Sequence, residues 1–260
     1  MSEWLRVTFL GTGTSQGVPM VGCDCLVCLS TDSRDVRSRC SLYMETEEAA
    51  WVVDTGPDFR HQCLRWGVRR VDAALFTHSH TDHIMGFDDL RPFSKGGRTI
   101  DVFGSTPTLD VLARIFDFAF AAETRFPGYL HPVRRDVGGR FELGGLTVDP
   151  VWLPHGRMVT TGYVFSRGGR RLFAYMTDCS SVPEEAMRVA EGAEHVVVDG
   201  LREREHPTHM TYAQAAESLS RMRAGRGWLT HLCHDFRHVE VEGRLPSGVG
   251  VAYDGMVLEI

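Results

Sequence analysis

The stretch Thr77-His78-Ser79-His80-Thr81-Asp82-His83 holds four metal-binding side chains within six residues. It follows the apolar run 71–76, which predicts a buried strand, so the four side chains lie on the loop at the carboxyl end of that strand. In extended backbone, His78 and His80 point to the same side and can share one cation. Asp82 and His83 follow where the chain turns and can face a second cation. Imidazoles with a carboxylate suit Zn, Mn or Fe rather than Ca or Mg.

The composition is that of an ordinary globular protein. The chain has 260 residues, 43% of them apolar and 24% charged, which allows one large domain or two small ones with ample core. The net charge of −6 argues against a general nucleic-acid coat, which carries a basic face. No apolar run approaches the roughly 20 residues that span a bilayer, and the chain enters a strand at 5–10 without a basic and apolar leader. We therefore expect a cytoplasmic protein whose seven cysteines are thiols or metal ligands.

Two unusual segments follow the first predicted strand. Residues 11–19 are rich in glycine but match no phosphate-binding motif, so we interpret them as a tight turn that brings backbone close to the metal site. Residues 22–28 carry Cys23, Cys25 and Cys28 in C-x-C-x-x-C spacing, which we call the cysteine hook. A structural zinc site needs four ligands, so a fourth must come from elsewhere in the chain. The candidates are Cys40, Cys233 and His234.

Further acids and histidines stand at the ends of predicted strands. Asp54 is placed to orient a ligand imidazole through a hydrogen bond. His155 and His231 each follow an apolar run, and Asp178 can either bridge two cations or cap the helix that begins near residue 183. Two cations need about seven protein ligands, and the chain supplies that number. One cation takes His78, His80 and His155, the other takes Asp82, His83 and His231, and Asp178 bridges them.

A last histidine stands apart from this ligand set. Thr211 with Gln214 three residues on predicts a capping box, which opens a helix to about residue 222. His209 therefore lies just ahead of a helix N-terminus, a place that favours anions. Arg91 and Arg202 could contact a phosphate, although a surface position is the simpler interpretation of either.

The predicted elements fall into two halves, each a set of strands followed by helices. A helix is predicted at 106–119, and the aromatic segment 118–132 forms either a lid or a core-packing loop. The chain closes with strands at 249–253 and 256–260, which we expect to pair with each other. The pattern fits a single domain over 1–260, with two α/β halves packed as helix–sheet–sheet–helix and the metal site at one edge.

The chain resembles the metallo-β-lactamase fold superfamily through its H-x-H-x-D-H spacing. Within that superfamily, the cysteine hook is similar to that of the carbon–phosphorus lyase accessory phosphodiesterase (PhnP-like) subgroup. The matching residues are Gly11-Thr12-Gly13, Gln16-Gly17-Val18-Pro19, Gly22-Cys23, Cys25, Cys28, His78 to His83, His155, Asp178, His209, His231, His234 and Asp254-Gly255-Met256. The resemblance implies a four-layer αββα sandwich, and a structural Zn in the cysteine hook that is completed by His234.

The same resemblance implies a binuclear metal-dependent phosphodiesterase that acts on small or cyclic phosphodiesters. Two divalent ions, Zn or Mn with Fe as a further option, activate a dimetal-bridged hydroxide near neutral pH. Asp178 and Asp82 belong to the catalytic set as well as to the ligands. His209, which no cation requires, is the candidate general acid for the leaving alkoxide.

Other functions on this fold stay open. A tRNA 3′-processing nuclease normally adds an RNA-gripping arm, and no glycine-rich basic insertion of that kind is visible in the sequence. A thioesterase or a lactamase can use the same hydroxide. A non-enzymatic cofactor-biosynthesis protein similar to the pyrroloquinoline-quinone B proteins would share the hook, but those proteins have a degraded histidine motif and 78–83 is intact. We expect a small-molecule phosphodiester substrate, no membrane and no stable nucleic-acid complex, and leave a homodimer open.

Overall fold

The computed structural model describes residues 4–121 and 128–260, and its strands form two seven-stranded sheets. In spatial order, sheet I consists of β14 (Val257–Glu259), β1 (Arg6–Gly11), β2 (Ser41–Glu45), β3 (Ala50–Val53), β4 (Ala73–Leu75), β5 (Ile100–Gly104) and β6 (Pro132–Asp136). Sheet II consists of β13 (Val249–Val251), β12 (Arg226–Thr230), β11 (His195–Asp199), β10 (Arg170–Met176), β9 (Met158–Arg167), β8 (Leu146–His155) and β7 (Phe141–Leu143).

Short helices connect these strands. They are α1 (Phe59–Trp66), α2 (Thr81–Ile84), α3 (Thr106–Ile115), α4 (Asp117–Phe120), α5 (Glu184–Ala190), α6 (Tyr212–Arg221) and α7 (His238–Glu242), with 3-10 helices at Ser33–Asp35 and Phe87–Gly97. The predicted capping box at the start of α6 is confirmed, because the Thr211 hydroxyl accepts from Gln214 N–H and the Gln214 side chain accepts from Thr211 N–H. In the described part of the chain, no helix is both long enough and apolar enough to cross a membrane.

Three apolar clusters hold the layers together. Trp51 and Phe165, both fully buried, pack with rings 6.0 Å apart in the cluster between the two sheets. A second cluster joins sheet I to α1, α3 and α4, and a third joins sheet II to α5 and α6. Each sheet therefore has one face on the other sheet and one face on helices, as two-sided apolar strands require. The predicted αββα sandwich is confirmed.

The site lies where parallel strands of both sheets end. Pairing is parallel from β3 to β6 and from β10 to β13, so the carboxyl ends of these strands meet at common edges. Asp54 and His231 each follow such a strand directly, Asp178 follows β10 after one intervening residue, and Asp199 is the last residue of β11. A backbone hydrogen bond from Thr161 N–H to Thr77 O (2.8 Å) joins the two sheets beside the histidine loop.

The prediction that the two last strands pair with each other is wrong. β13 pairs in parallel with β12 in sheet II, whereas β14 pairs antiparallel with β1 in sheet I. The intervening turn crosses between the sheets, with Ala252 N–H bonded to Leu229 O and Gly255 N–H bonded to Phe9 O. β13 and β14 therefore each pair with the outer strand of a different sheet. If the two strands paired with each other, β1 and β12 would lose these partners.

Two other predictions need correction or restriction. The helix predicted at 106–119 breaks at Phe116, whose φ of −112° and ψ of 43° are not helical, and gives α3 and α4. Of the segment 118–132, residues 122–127 lie outside the described residues. Within its described part, Leu130 is fully buried in the cluster under α3, so this portion packs against the core.

Candidate metal centre

His78, His80 and His155 form the first group of ligand atoms, which lie within 4.8 Å of one another. His78 Nε2 is 2.9 Å from His80 Nδ1, so the alternation of the extended loop turns both rings to one side. The Nδ1 atoms of two of these rings have oxygen partners outside the group. His78 Nδ1 is 3.0 Å from Thr77 Oγ1, and His155 Nδ1 is 3.0 Å from the Thr208 carbonyl oxygen. Hydrogen bonds of this kind fix ligand imidazoles in metal sites.

Asp82, His83, Asp178 and His231 form the second group, and all four are buried. His83 Nε2 lies 3.2 Å from Asp82 Oδ2 and 3.4 Å from Asp178 Oδ1. Asp54 lies in the predicted supporting position, because its Oδ2 is 2.7 Å from His83 Nδ1 and its two oxygens accept from Thr77. The structure therefore brings together all seven side chains that the sequence assigned to two cations.

Asp178 lies between the two groups. Its Oδ1 faces His83, while its Oδ2 is 3.2 Å from His231 Nε2 and 3.9 Å from His78 Nε2 of the first group. The alternative role as a helix cap is wrong, since α5 begins after Pro183 with no side-chain cap. A carboxylate that contacts ligands of both groups has the position of a bridge.

The backbone at these strand ends adopts a conformation that is unusual for residues with a Cβ. Asp54, Asp178 and His231 have φ values of 63°, 54° and 62°, in the left-handed region. Such conformations cost on the order of 1–3 kcal/mol each and concentrate at functional sites. Here they occur at the carboxyl ends of strands from both sheets, whose side chains meet at His83.

The donor set fits divalent cations. Three buried carboxylates, Asp54, Asp82 and Asp178, surround His83 and raise its pKa well above the usual range against the opposing effect of burial. Burial, together with the charge of His83, lowers the pKa of His78 and keeps that ring neutral, as a metal ligand must be. His83 Nε2 and His231 Nε2 are buried without a hydrogen-bond partner, although each lies close to an acid. Cations between these atoms would satisfy the orphaned nitrogens and neutralise the carboxylates.

His209 lies beside both groups and is held by Asp199, a residue that the sequence analysis did not assign. Its Nδ1 is 2.6 Å from Asp199 Oδ2, and its ring stacks on that of His231 with centroids 4.6 Å apart. Burial raises the pKa of Asp199 and lowers that of His209. A ligand atom of His209 also lies within 4.8 Å of ligand atoms of His155 and Asp178, which makes this ring a further candidate ligand.

The cysteine hook and His234 form a separate four-ligand group. Sγ of Cys23, Cys25 and Cys28 lie 3.4, 3.3 and 3.5 Å from His234 Nδ1. A tetrahedral zinc with Zn–S near 2.3 Å and Zn–N near 2.0 Å requires sulfur–nitrogen separations of about 3.5 Å. The arrangement matches that size and leaves no position for a substrate.

The other two candidates for the fourth hook ligand are not part of this group. Cys40 is buried, with its Sγ 3.5 Å from Thr230 Oγ1. Burial raises the pKa of Cys233 to about 12, which keeps it a thiol. The group as a whole joins residues more than 200 positions apart.

Two cavities open onto the metal centre and share Ser15, His209 and His231 in their walls. The larger, ≈ 390 Å³, lies over His80, Asp82 and Asp178. The smaller, ≈ 220 Å³, extends from His209 to the loop that contains Gln16 and Gly17, and to Arg202. The glycine-rich segment therefore lies at the site, as predicted.

The two arginines named as phosphate contacts differ in position. Arg202 lines the smaller cavity, and its guanidinium donates to the carbonyl oxygens of Arg204 and Glu205. Arg91 instead pairs with Asp88 on the exposed 3-10 helix. Of the two, only Arg202 faces the described site.

Comparison with known proteins identifies the family. Residues 51–232 match the family model of the β-lactamase superfamily domain. The chain belongs to this superfamily. A crystal structure described as a new diphosphatase from the PhnP family superposes with a TM-score of 0.91 at 36% identity, covering 100% of this chain and 98% of the other. The metallo-β-lactamase hydrolase fold and the resemblance to the PhnP-like subgroup are thereby confirmed.

Two curated relatives carry other names. A Porphyromonas gingivalis protein named octanoyltransferase is 34% identical over an alignment of 262 positions that covers 97% of this chain and 51% of that protein. A ribonuclease Z from Bradyrhizobium diazoefficiens is 29% identical over 204 residues, 75% of this chain and 62% of that protein. This superfamily member thus spans about half of the first relative and less than two thirds of the second.

Proposed function

We propose that this chain is a phosphodiesterase that holds two divalent cations and hydrolyses small or cyclic phosphodiesters. The observation that carries the proposal is the Asp199–His209 pair, which stands beside the seven ligands without being needed to complete either group. A proton donor beside a metal centre is what the departing alkoxide of a phosphodiester requires. The 36% identity to a PhnP-family diphosphatase over almost the whole of both chains supports chemistry at phosphorus.

The roles of the side chains follow from their positions. The seven ligands would hold cations that supply positive charge to the phosphoryl oxygens and lower the pKa of a water molecule. Asp178 and Asp82 keep the ligand imidazoles of the second group in place. Asp199 accepts a hydrogen bond from His209 Nδ1, which leaves Nε2 to face the substrate and to donate a proton to the leaving oxygen.

The names of the relatives favour phosphorus over carbonyl substrates. Ribonuclease Z and diphosphatase both denote cleavage at phosphorus, and the diphosphatase aligns over almost its entire length. The octanoyltransferase name belongs to a protein about twice as long as the matched segment. A panel of a bis-aryl phosphodiester, a monoester, a lactam and a thioester, tested on the metal-loaded protein, separates these classes. Preference for any carbonyl substrate would contradict the proposal.

The decisive variant is His209→Ala, with His206→Ala as its control. His206 lies on the same loop with its ring 5.1 Å from that of His209, and its Nδ1 contacts Thr208 instead of an acid. For a diester with an alkoxide leaving group, kcat should fall about 10²–10⁴-fold in His209→Ala. For a nitrophenolate leaving group, which departs without a proton, the loss should be much smaller.

Two results would contradict this role of His209. An equal loss on both substrates would make His209 a binding residue instead of a proton donor. Loss of a cation by elemental analysis would make it a ligand, together with His155 and Asp178, whose ligand atoms it approaches. His206→Ala should retain most of the activity on both substrates.

A further inference from the structure

His231 differs from the other buried imidazoles of the metal centre. Nδ1 of His78, His83 and His155 has an oxygen partner at 3.0, 2.7 and 3.0 Å. Within the described residues, neither ring nitrogen of His231 has a hydrogen-bond partner, although Nε2 faces Asp178. Ligand histidines are normally oriented through the nitrogen that does not bind the metal. His231 must therefore be oriented in another way, and its left-handed φ of 62° adds strain that something must hold.

The backbone on the carboxyl side of His231 is clamped by the glycine-rich segment. Leu232 N–H donates to Thr12 O at 3.1 Å, and Thr14 N–H donates to Leu232 O at 3.2 Å. These two bonds fix the residue after His231 through both of its backbone groups, the N–H and the C=O of Leu232. The direction of the His231 Cα–Cβ bond then depends on where Thr12 and Thr14 lie.

Thr12 is itself held by two charged groups that the proposed chemistry does not use. Its buried hydroxyl accepts from Arg37 Nη1 at 2.9 Å and donates to Asp254 Oδ1 at 2.8 Å. The other oxygen of Asp254 accepts from Ser38 N–H and Oγ–H at 2.8 and 2.7 Å. Gly13 completes the junction, because a Cβ there would lie 2.8 Å from the Arg37 carbonyl oxygen.

Arg37 is an unusual residue to find in this position. It is 4% exposed, and among residues 4–121 and 128–260 no carboxylate lies close enough to form an ion pair with it. Its other partners are the Ala252 carbonyl oxygen at 2.6 Å and His238 Nδ1 at 3.0 Å. Burying a cation without an ion pair costs free energy, which its hydrogen bonds offset only in part. Those bonds tie the turn before β14 to Thr12, and so to the peptide after His231.

We infer that Thr12, Arg37 and Asp254 are positioning residues for His231. They hold the loop that clamps Leu232, and thereby do for His231 what Asp54 does for His83. The inference concerns the cation that His231 binds and is independent of the substrate. Failure of the proposed phosphodiesterase activity would leave it standing, because metal retention is measured without any substrate.

The test compares variants of Thr12 in the zinc-loaded protein. Thr12→Val keeps the shape of the side chain but removes both hydrogen bonds of the hydroxyl, whereas Thr12→Ser restores them. Thr108→Val is the matched control, because Thr108 is also buried and its hydroxyl contacts that of Ser105 at 2.9 Å at the start of α3, away from the metal centre. Each protein is dialysed against a series of chelator concentrations, and the zinc retained is measured by elemental analysis. Alkylation of the hook thiols reports separately on the structural zinc.

Thr12→Val should lose one equivalent of zinc at a chelator concentration about 10–100-fold lower than the wild type, the usual effect of an outer hydrogen-bond partner. The hook thiols should stay protected, and Thr12→Ser and Thr108→Val should match the wild type. Unchanged retention in Thr12→Val would overturn the inference. Simultaneous release of every equivalent, or failure of serine to rescue, would also overturn it, because a general loss of stability explains those results.

A second measurement covers the case in which Thr12→Val does not fold. In the wild-type protein with its metals bound, the amide protons of Leu232 and Thr14 should exchange slowly, since both are bonded in the clamp. The amide of Arg204, on an exposed loop, provides the reference. Equal exchange rates at these three positions would refute a rigid clamp.

Discussion

Substitution of His234 tests the cysteine hook as a link between distant parts of the chain. In the unfolded chain, Cys23, Cys25 and Cys28 can still bind zinc, since they lie within six residues. Recruiting His234 to that zinc closes a loop of 206 residues from Cys28, at an entropic cost of about 5 kcal/mol. The folded protein already holds His234 Nδ1 within 3.5 Å of each thiol. The zinc–imidazole bond therefore forms essentially in the native state alone and stabilises it by up to about 5 kcal/mol.

His234→Ala should accordingly lower the melting temperature by up to about 10 °C, given the unfolding entropy typical of a 260-residue chain. The assay is thermal unfolding in zinc-saturated buffer, followed by circular dichroism. Cys233→Ser is the control, because its thiol is adjacent in sequence but outside the four-ligand group. A decrease of less than about 2 °C in His234→Ala, or equal decreases in both variants, would refute this account.

Three further outcomes are expected. Asp178→Ala should abolish turnover and release both active-site cations while the hook zinc stays; retention of two cations with only a slight loss of rate would refute the bridge. After zinc removal, Cys25 should alkylate as the pH rises through about 6 and not below it. The Cys28 backbone N–H and then His234 lower the pKa of Cys25 to about 6, whereas burial raises the pKa of Cys28 to about 11. Equal alkylation profiles of the two thiols would contradict this. Arg202→Met should raise KM about 10-fold with little change in kcat, the usual worth of one charged contact, whereas Arg204→Met, on the same loop, should change neither.

The sequence predicted those parts of the site whose signal is local. The spacing of residues 77–83 and the cysteine hook each specify ligands within one short segment, and the structure brings both sets together. His155, Asp178 and His231 could be placed because acids and histidines at strand ends converge in a fold with parallel strands. Asp199 has the same signal at the end of β11. It becomes informative only once its contact with His209, ten residues later, is known.

Features that depend on contacts between residues far apart in the sequence could not be predicted from local patterns. Arg37 contacts Ala252 and His238 across more than 200 residues, and no local pattern marks it as buried. The terminal strands were paired wrongly because a turn containing Asp254 and Gly255 is the usual signal of a hairpin. The turn instead connects the two sheets, since Ala252 N–H and Gly255 N–H bond to strands of different sheets. Local turn chemistry was overridden by tertiary contacts.

That crossover has a consequence for the order of folding. β1 and its outer neighbour β14 lie 253 residues apart at the pair Arg6 and Glu259, and β13, just before β14, completes the other sheet. Neither sheet is complete until residues 249–259 have paired, so the two halves should gain protection together instead of one after the other. Such distant closures slow folding and leave strand edges open in intermediates. We therefore expect residues 249–259 to control the folding rate and aggregation of a protein whose chemistry lies elsewhere.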